Sequence, residues 1–245
     1  MREENRFYQK ERANEAYADV FNGRTSSGEV STTFVSNVFM MMTLGLAISA
    51  ASAYWMVVSE FYMNLGRFGM MAITFAPLGM VLIMGFGYNK LSSVALTGLF
   101  IAYSAIMGLS LGVILLMYTA STVYLTFGVT AATFLTMALL GYTTKTDLTK
   151  FGSLLFMALI GIIIAMIVNF FLQSSTMDYI ISVIGVLIFT GLTAYDVQKI
   201  KEMSMLVSEG AEDTKKMVVM GALNLYLDFV NLFLFLLRIF GGNRD

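Results

Sequence analysis

The sequence predicts an all-α membrane protein with seven transmembrane helices. Of its 245 residues, 58% are hydrophobic and only 13% are charged, whereas soluble domains carry about 45–50% apolar and about 25% charged residues. From residue 34 onward, apolar stretches follow one another with short polar breaks, and each is near the roughly 20 residues that cross a bilayer. The stretches do not alternate between apolar and polar residues, which argues against a β-barrel.

The chain begins with a polar segment, residues 1–33, which contains the linker TSSG at 25–28. The first apolar stretch starts too far into the chain, and is too long, for a cleavable signal peptide. We therefore expect residues 1–33 to be a retained cytoplasmic segment. Within it, residues 7–21 are predicted to form a short surface helix.

Seven apolar stretches are predicted to build one transmembrane domain, residues 34–240, which is followed by a short tail at 241–245. The predicted spans are 34–58, 70–88, 93–117, 121–142, 153–173, 179–198 and 217–240. Of the 15 Lys and Arg residues, 12 lie on the cytoplasmic side if the N-terminus is inside, and only Arg67, Arg238 and Arg244 lie opposite. Because basic residues favour the cytoplasmic side, the N-terminus is predicted to be cytoplasmic and the C-terminus outside.

Small residues recur along one face of two spans. In the third span they end with Gly108 and Gly112, and in the fifth span they include Ala158, Gly161 and Ala165. Small residues let the backbones of membrane helices approach closely. We therefore interpret both faces as helix-packing surfaces rather than as ligand grooves.

The composition excludes several kinds of chemistry. The chain has no histidine and no cysteine, so the commonest general base, the commonest zinc ligand and all thiolate chemistry are absent. The net charge of −1 argues against a nucleic-acid partner, because no basic surface can neutralise phosphates. Proton chemistry must therefore depend on carboxylates, Lys or Tyr, and no cofactor is predicted.

A polar stripe runs along the last span. At about 100° per residue, Asn224, Asp228, Asn231 and Arg238 all project from one side of the helix. A charge near the bilayer centre costs at least about 2.5–3.5 kcal/mol, so the stripe is predicted to face the protein interior, with this helix central in the bundle. Asp196 lies near the cytoplasmic end of the antiparallel sixth span, where it can approach Asp228. Two carboxylates close together in a low-dielectric site share a proton, which would provide a pH switch without histidine.

The last two spans carry a resemblance. The stretches AYDVQKI at 194–200 and ALNLYLDFVNLFLFLLRIFG at 222–241 resemble a bacterial member of the Bax inhibitor-1 family. The resemblance implies a multi-pass protein of the bacterial inner (plasma) membrane, with the seventh helix surrounded by the other six. It also implies a pH-sensitive calcium leak gated by Asp196 and Asp228, with Lys90 as the basic residue that holds Asp196 in the closed state.

The leading hypothesis is thus a passive, proton-regulated Ca²⁺ channel rather than an enzyme, with the bilayer, Ca²⁺ and protons as its partners. Carboxylates and amide carbonyls are ligands that Ca²⁺ prefers, so Asp196 and Asp228 would form a transient Ca²⁺ site, and Asn224 and Asn231 would line the ion path with Asp228. Two alternatives stay open: a proton-coupled cation exchanger, and a non-conducting regulator that binds other membrane proteins such as a quality-control protease. An intramembrane aspartyl protease is disfavoured, because Asp228 is not preceded by the G-x-G motif that such enzymes need.

Overall fold

The structure is a computed structural model that describes residues 31–207 and 211–242. The surface helix predicted at 7–21 lies outside the described residues. In these described ranges, seven helices are long and apolar enough to cross a membrane. They are α1 (Thr32–Val58), α2 (Arg67–Gly87), α3 (Ser93–Leu115), α4 (Ala120–Thr143), α5 (Thr149–Leu172), α6 (Ser175–Ser204) and α7 (Glu212–Gly241). The described ranges contain no β-strand, and the predicted all-α class with seven spans is confirmed.

Hydroxyl side chains determine where several helices begin. The first turns of four helices are capped in this way: α1 by Ser31, α3 by Ser92, α4 by Thr119 and α6 by Ser174. The start of α3 has a second acceptor, because the Glu212 carboxylate accepts the Ser93 backbone N–H at 2.5 Å and the Ser93 hydroxyl at 2.8 Å. This contact fixes the first residue of α7 against the first turn of α3.

The predicted spans differ most from the helices at the facing ends of α6 and α7. Helix α6 ends at Ser204, six residues after the predicted end, and α7 begins at Glu212, five residues before its predicted start. These extra turns carry charged residues that a search for apolar stretches excludes, yet buried positions such as Ile200 hold them against the bundle. Asp196 therefore lies eight residues, or about 12 Å, before the end of its helix.

Helices α6 and α7 form the most buried part of the bundle. In α7, 67% of the most apolar stretch is buried, and in α6 56%, against 6% in α5. Helix α7 packs against α1, α3, α4 and α6, while α6 packs against α4, α5 and α7. The finer expectation that α7 is surrounded by all six other helices is not confirmed, since its extensive backbone contacts are with four of them.

The two faces of small residues have different roles. On α3, a Cβ added to Gly108 would meet the backbone of Ser49 on α1, and one added to Gly112 would meet Met56. The predicted packing role is therefore confirmed for α3. On α5, a Cβ at Gly161 would meet no described atom within 4 Å, because this face of α5 borders an open groove beside α6. The packing prediction is therefore wrong for Gly161, whereas Ala158 and Ala165 on the same face pack against a buried apolar cluster.

Candidate functional site

The two intramembrane aspartates lie in one cavity. Asp228 in the middle of α7 and Asp196 on α6 are only 5% and 6% exposed. Both line a cavity of about 280 Å³ between α5, α6 and α7. The antiparallel packing of α6 and α7 thus brings together the two residues that the sequence analysis singled out.

Each carboxylate keeps one oxygen without a partner. Asp196 Oδ1 and Asp228 Oδ2 are buried and accept no hydrogen bond from the described part of the chain. The cavity lining includes no Lys or Arg, and Lys199, one turn further along α6 than Asp196, is exposed. Since an unpaired buried charge is costly, the site requires a proton or a cation from outside the protein.

The remaining residues of the polar stripe are placed unequally. Asn231 is half-buried at the cavity, where its amide donates to the Leu227 carbonyl at 2.8 Å. Asn224 lines the same cavity but is exposed, because the cavity opens at its edge. Arg238 lies near the other end of α7, where it forms a partly exposed ion pair of 3.7 Å with Asp178. The prediction that the whole stripe faces inward therefore holds for Asp228 and, in part, for Asn231, and is wrong for Asn224 and Arg238.

Lys90 is exposed in the turn that follows α2. Residues 31–207 and 211–242 contain one ion pair, between Arg238 and Asp178. Within these residues, no ion pair joins Lys90 to Asp196. The role of Lys90 as the basic residue that holds Asp196 stays a prediction.

Sequence reasoning missed how Asp196 is held in position. Two residues further along α6, Gln198 anchors the α4–α5 loop: its amide donates to the Thr146 carbonyl, and its carbonyl accepts the Leu148 N–H, both at 2.8 Å. Lys201 then donates to the Tyr142 carbonyl at 2.7 Å. These contacts fix the C-terminal part of α6 to α4 and to the start of α5. The sequence does show polar residues at helical spacing after Asp196. Their partners could not be identified from it, because they lie about 50 residues away in the chain.

Sequence reasoning also missed a polar cluster on the opposite side of α7. The Tyr226 hydroxyl is 2.6 Å from Ser49 Oγ on α1, which donates to the Ser104 carbonyl on α3 at 2.7 Å. Because serine has a single proton, Tyr226 is the donor to Ser49. The Tyr226 ring packs edge-on against Phe100 and Tyr103. Serines inside apolar spans were the available signal, since such side chains form hydrogen bonds between membrane helices.

Comparisons with known proteins agree with this architecture. The sequence matches the family model described as "Inhibitor of apoptosis-promoting Bax1" over residues 31–245. It is 45% identical over 221 residues to a protein of Borreliella burgdorferi, a match that covers 88% of this chain and 94% of that protein. It is 44% identical over 216 residues to the "Inner membrane protein YbhL" of Escherichia coli, with 86% and 92% covered. A protein of Caulobacter vibrioides is 42% identical over 226 residues, with 86% and 89% covered.

Proposed function

We propose that this chain, which belongs to the Bax inhibitor-1 family, is a passive, proton-regulated pathway for Ca²⁺ in the inner membrane of a bacterial cell. The observation that carries the proposal is the pair of buried carboxylates, Asp196 and Asp228, which share one cavity and each keep an oxygen without a partner. A membrane protein that buries two carboxylates without a cation of its own has a place for a cation that passes through.

The ligand chemistry of the cavity suits a permeant Ca²⁺ ion. Ca²⁺ prefers carboxylate and amide oxygens, and Asp228 lies in the same cavity as Asn224 and Asn231. A channel must bind its ion weakly enough to release it, so the site is proposed to hold Ca²⁺ only transiently. We assign ion contact to Asp228 and the gating proton to Asp196.

The proposed gate uses Lys90 and α2. When Asp196 is ionised, Lys90 would move to it and close the pathway, and when Asp196 is protonated the attraction is lost. Helix α2 is suited to such a movement, because among the other helices its extensive packing is against α3 alone. Only 11% of its most apolar stretch is buried. The leak is therefore expected to increase as the pH falls.

Flux measurements with purified protein in liposomes test this function. Vesicles that contain a Ca²⁺-sensitive dye should fill faster at pH 6 than at pH 8 when the wild type is present. The Glu202→Gln variant, which changes an exposed acid on the same helix, is the matched control and should behave as wild type. Vesicles that fill no faster than empty ones at any pH would overturn the proposal. Uptake that occurs only with an opposing proton gradient would establish an exchanger instead.

The proposed orientation follows from the distribution of basic residues, with the N-terminus in the cytoplasm and the C-terminus outside. Reporter enzymes fused after Arg24 and after Asn243 should then report opposite sides of the membrane. If both fusions report the cytoplasm, α7 does not cross the membrane and the carboxylate pair does not lie on a transmembrane path.

A further inference from the structure

We propose that the cavity between α5, α6 and α7 binds a lipophilic monovalent cation: a protonated amine with an apolar tail that enters from the bilayer. The inference rests on the charge and the walls of the cavity and not on Ca²⁺ conduction. It holds whether or not the protein conducts ions.

The cavity has no positive charge of its own. The only ionisable side chains in its lining are Asp196 and Asp228. An ammonium group brings a positive charge to this acidic cavity. Its N–H groups also provide donors for Asp196 Oδ1 and Asp228 Oδ2, the two buried oxygens that lack one.

The walls of the cavity match an apolar tail. Nine of its 13 lining side chains are apolar, and a metal ion with its water gains nothing from them. An alkyl chain loses contact with water when it packs there, which is favourable for every buried methylene group. The volume of about 280 Å³ is at the small end of the range of ligand cavities, about 300–1,000 Å³, and suits a short chain.

The cavity is bounded by α5 on the side that faces the lipid. Two of the α5 residues in its wall, Phe156 and Ile163, remain 45% and 43% exposed. Only 6% of the most apolar stretch of α5 is buried. Because this helix has lipid on its outer side, an amphiphile can reach the carboxylates by passing the edge of α5, without crossing an aqueous vestibule.

Photolabelling tests the proposal. The probe is an alkylamine with a diazirine in its chain, irradiated with purified protein in lipid nanodiscs, and labelled residues are located by mass spectrometry. We expect labels on the cavity walls of α5, α6 and α7. Excess octylamine should prevent them, whereas excess octanol, which has the same chain and no charge, should not. Asp228→Asn should reduce labelling about tenfold, because a hydrogen bond to a charged group is lost, and Glu202→Gln should not.

A second pair of variants tests the walls without changing a charge. Ile163→Trp should reduce labelling by filling the cavity from α5, whereas Ile160→Trp, on an exposed part of α5 outside the cavity, should not. Equal protection by octanol and octylamine, labels spread evenly over lipid-facing positions, or full labelling of Asp228→Asn would each overturn the inference. Labelling of a protein that transports no Ca²⁺ would support the amine site while the proposed channel fails. Ca²⁺ flux without site-specific labelling would support the proposed channel and overturn the amine site.

Discussion

The two faces of α7 handle polar groups in opposite ways. Tyr226 faces α1 and α3, is completely buried, and donates its proton to Ser49 within a close-packed group of rings. Asp228 is only two residues further along, about 200° around the helix, and lies in a cavity where one of its oxygens has no partner. We call the side of α7 that carries Tyr226 the filled side, and the side that carries Asp228 and borders the cavity the unfilled side.

The difference shows how polar side chains are tolerated in a membrane. On the filled side, the protein itself makes every step from Tyr226 through Ser49 to the Ser104 carbonyl, although the neighbouring Tyr103 hydroxyl has no partner in the described part of the chain. On the unfilled side, the protein leaves space and a carboxylate pair. A buried carboxylate oxygen without a partner is costly, and an open cavity beside it leaves room for a proton or a cation. The filled side provides the framework, and the unfilled side is the candidate site.

The largest expected effect is on the framework. In Gly108→Leu, the new side chain meets the backbone of Ser49, which cannot move without separating α1 from α3. Overpacking a core costs about 1–3 kcal/mol, and occasionally more, and backbone contact puts this case at the upper end. The expected result is a large loss of thermal stability in detergent, measured by circular dichroism, or no folded protein. The matched Gly161→Leu, where the same addition meets open space, should unfold at the wild-type temperature. Equal stability of the two variants would remove the distinction between the packed and open faces.

Gly108 and Gly161 also show how much of the fold can be predicted from the sequence. Apolar stretches predicted all seven helices because the length and polarity of a span are local properties. The small-residue pattern predicted close packing equally for Gly108 and Gly161, and only one of them packs closely. Which face of a helix meets a neighbour depends on the rotation of every helix in the bundle, which a single span does not reveal.

The candidate site, like the fold, was predictable only in part. Asp228 was conspicuous because a charge inside a span is rare and expensive, and its pairing with Asp196 followed from antiparallel neighbours. The Glu212 contact with Ser93 and the Gln198 anchor were not predictable, because each joins residues more than 45 positions apart. The exposure of Asn224 was missed because helical periodicity gives direction around an axis and not the position of a gap between helices.

The second-largest effect is expected from a change at Asp228, on the unfilled side of α7. Asp228→Asn keeps the size of the side chain and removes its charge, so most Ca²⁺ flux should be lost at every pH between about 5 and 8, the range in which the pair is expected to hold one proton. The variant should fold, and unfold at the wild-type temperature or higher, because a neutral amide is easier to bury than an unpaired carboxylate. Liposome flux and circular dichroism measure the two properties. Wild-type flux in this variant would make Asp228 a packing residue.

A smaller effect concerns the pH response alone. Lys90→Ala should raise the leak at alkaline pH and flatten its pH dependence, because ionised Asp196 loses the cation that closes the pathway. Asp196→Asn should give the same flat profile while flux persists. The exposed Lys215→Ala, on the first turns of α7, is the control for loss of a positive charge. If Lys90→Ala keeps the wild-type pH profile, the attraction between Lys90 and Asp196 is not the gate.

The smallest effects are expected from Tyr226→Phe and Tyr103→Phe, each of which removes one hydroxyl group. Tyr226→Phe removes the hydrogen bond to Ser49, but Ser49 still donates to the Ser104 carbonyl, so no donor is left unpaired and the cost should be about 1 kcal/mol. Tyr103 is also fully buried, yet its hydroxyl has no partner in the described part of the chain. Tyr103→Phe should therefore leave stability unchanged or increase it. Both variants should keep the wild-type pH profile of Ca²⁺ flux, since both hydroxyls lie on the filled side. Urea unfolding of the two proteins gives the sign of each change, and a changed pH profile in either would show that the two faces of α7 are coupled.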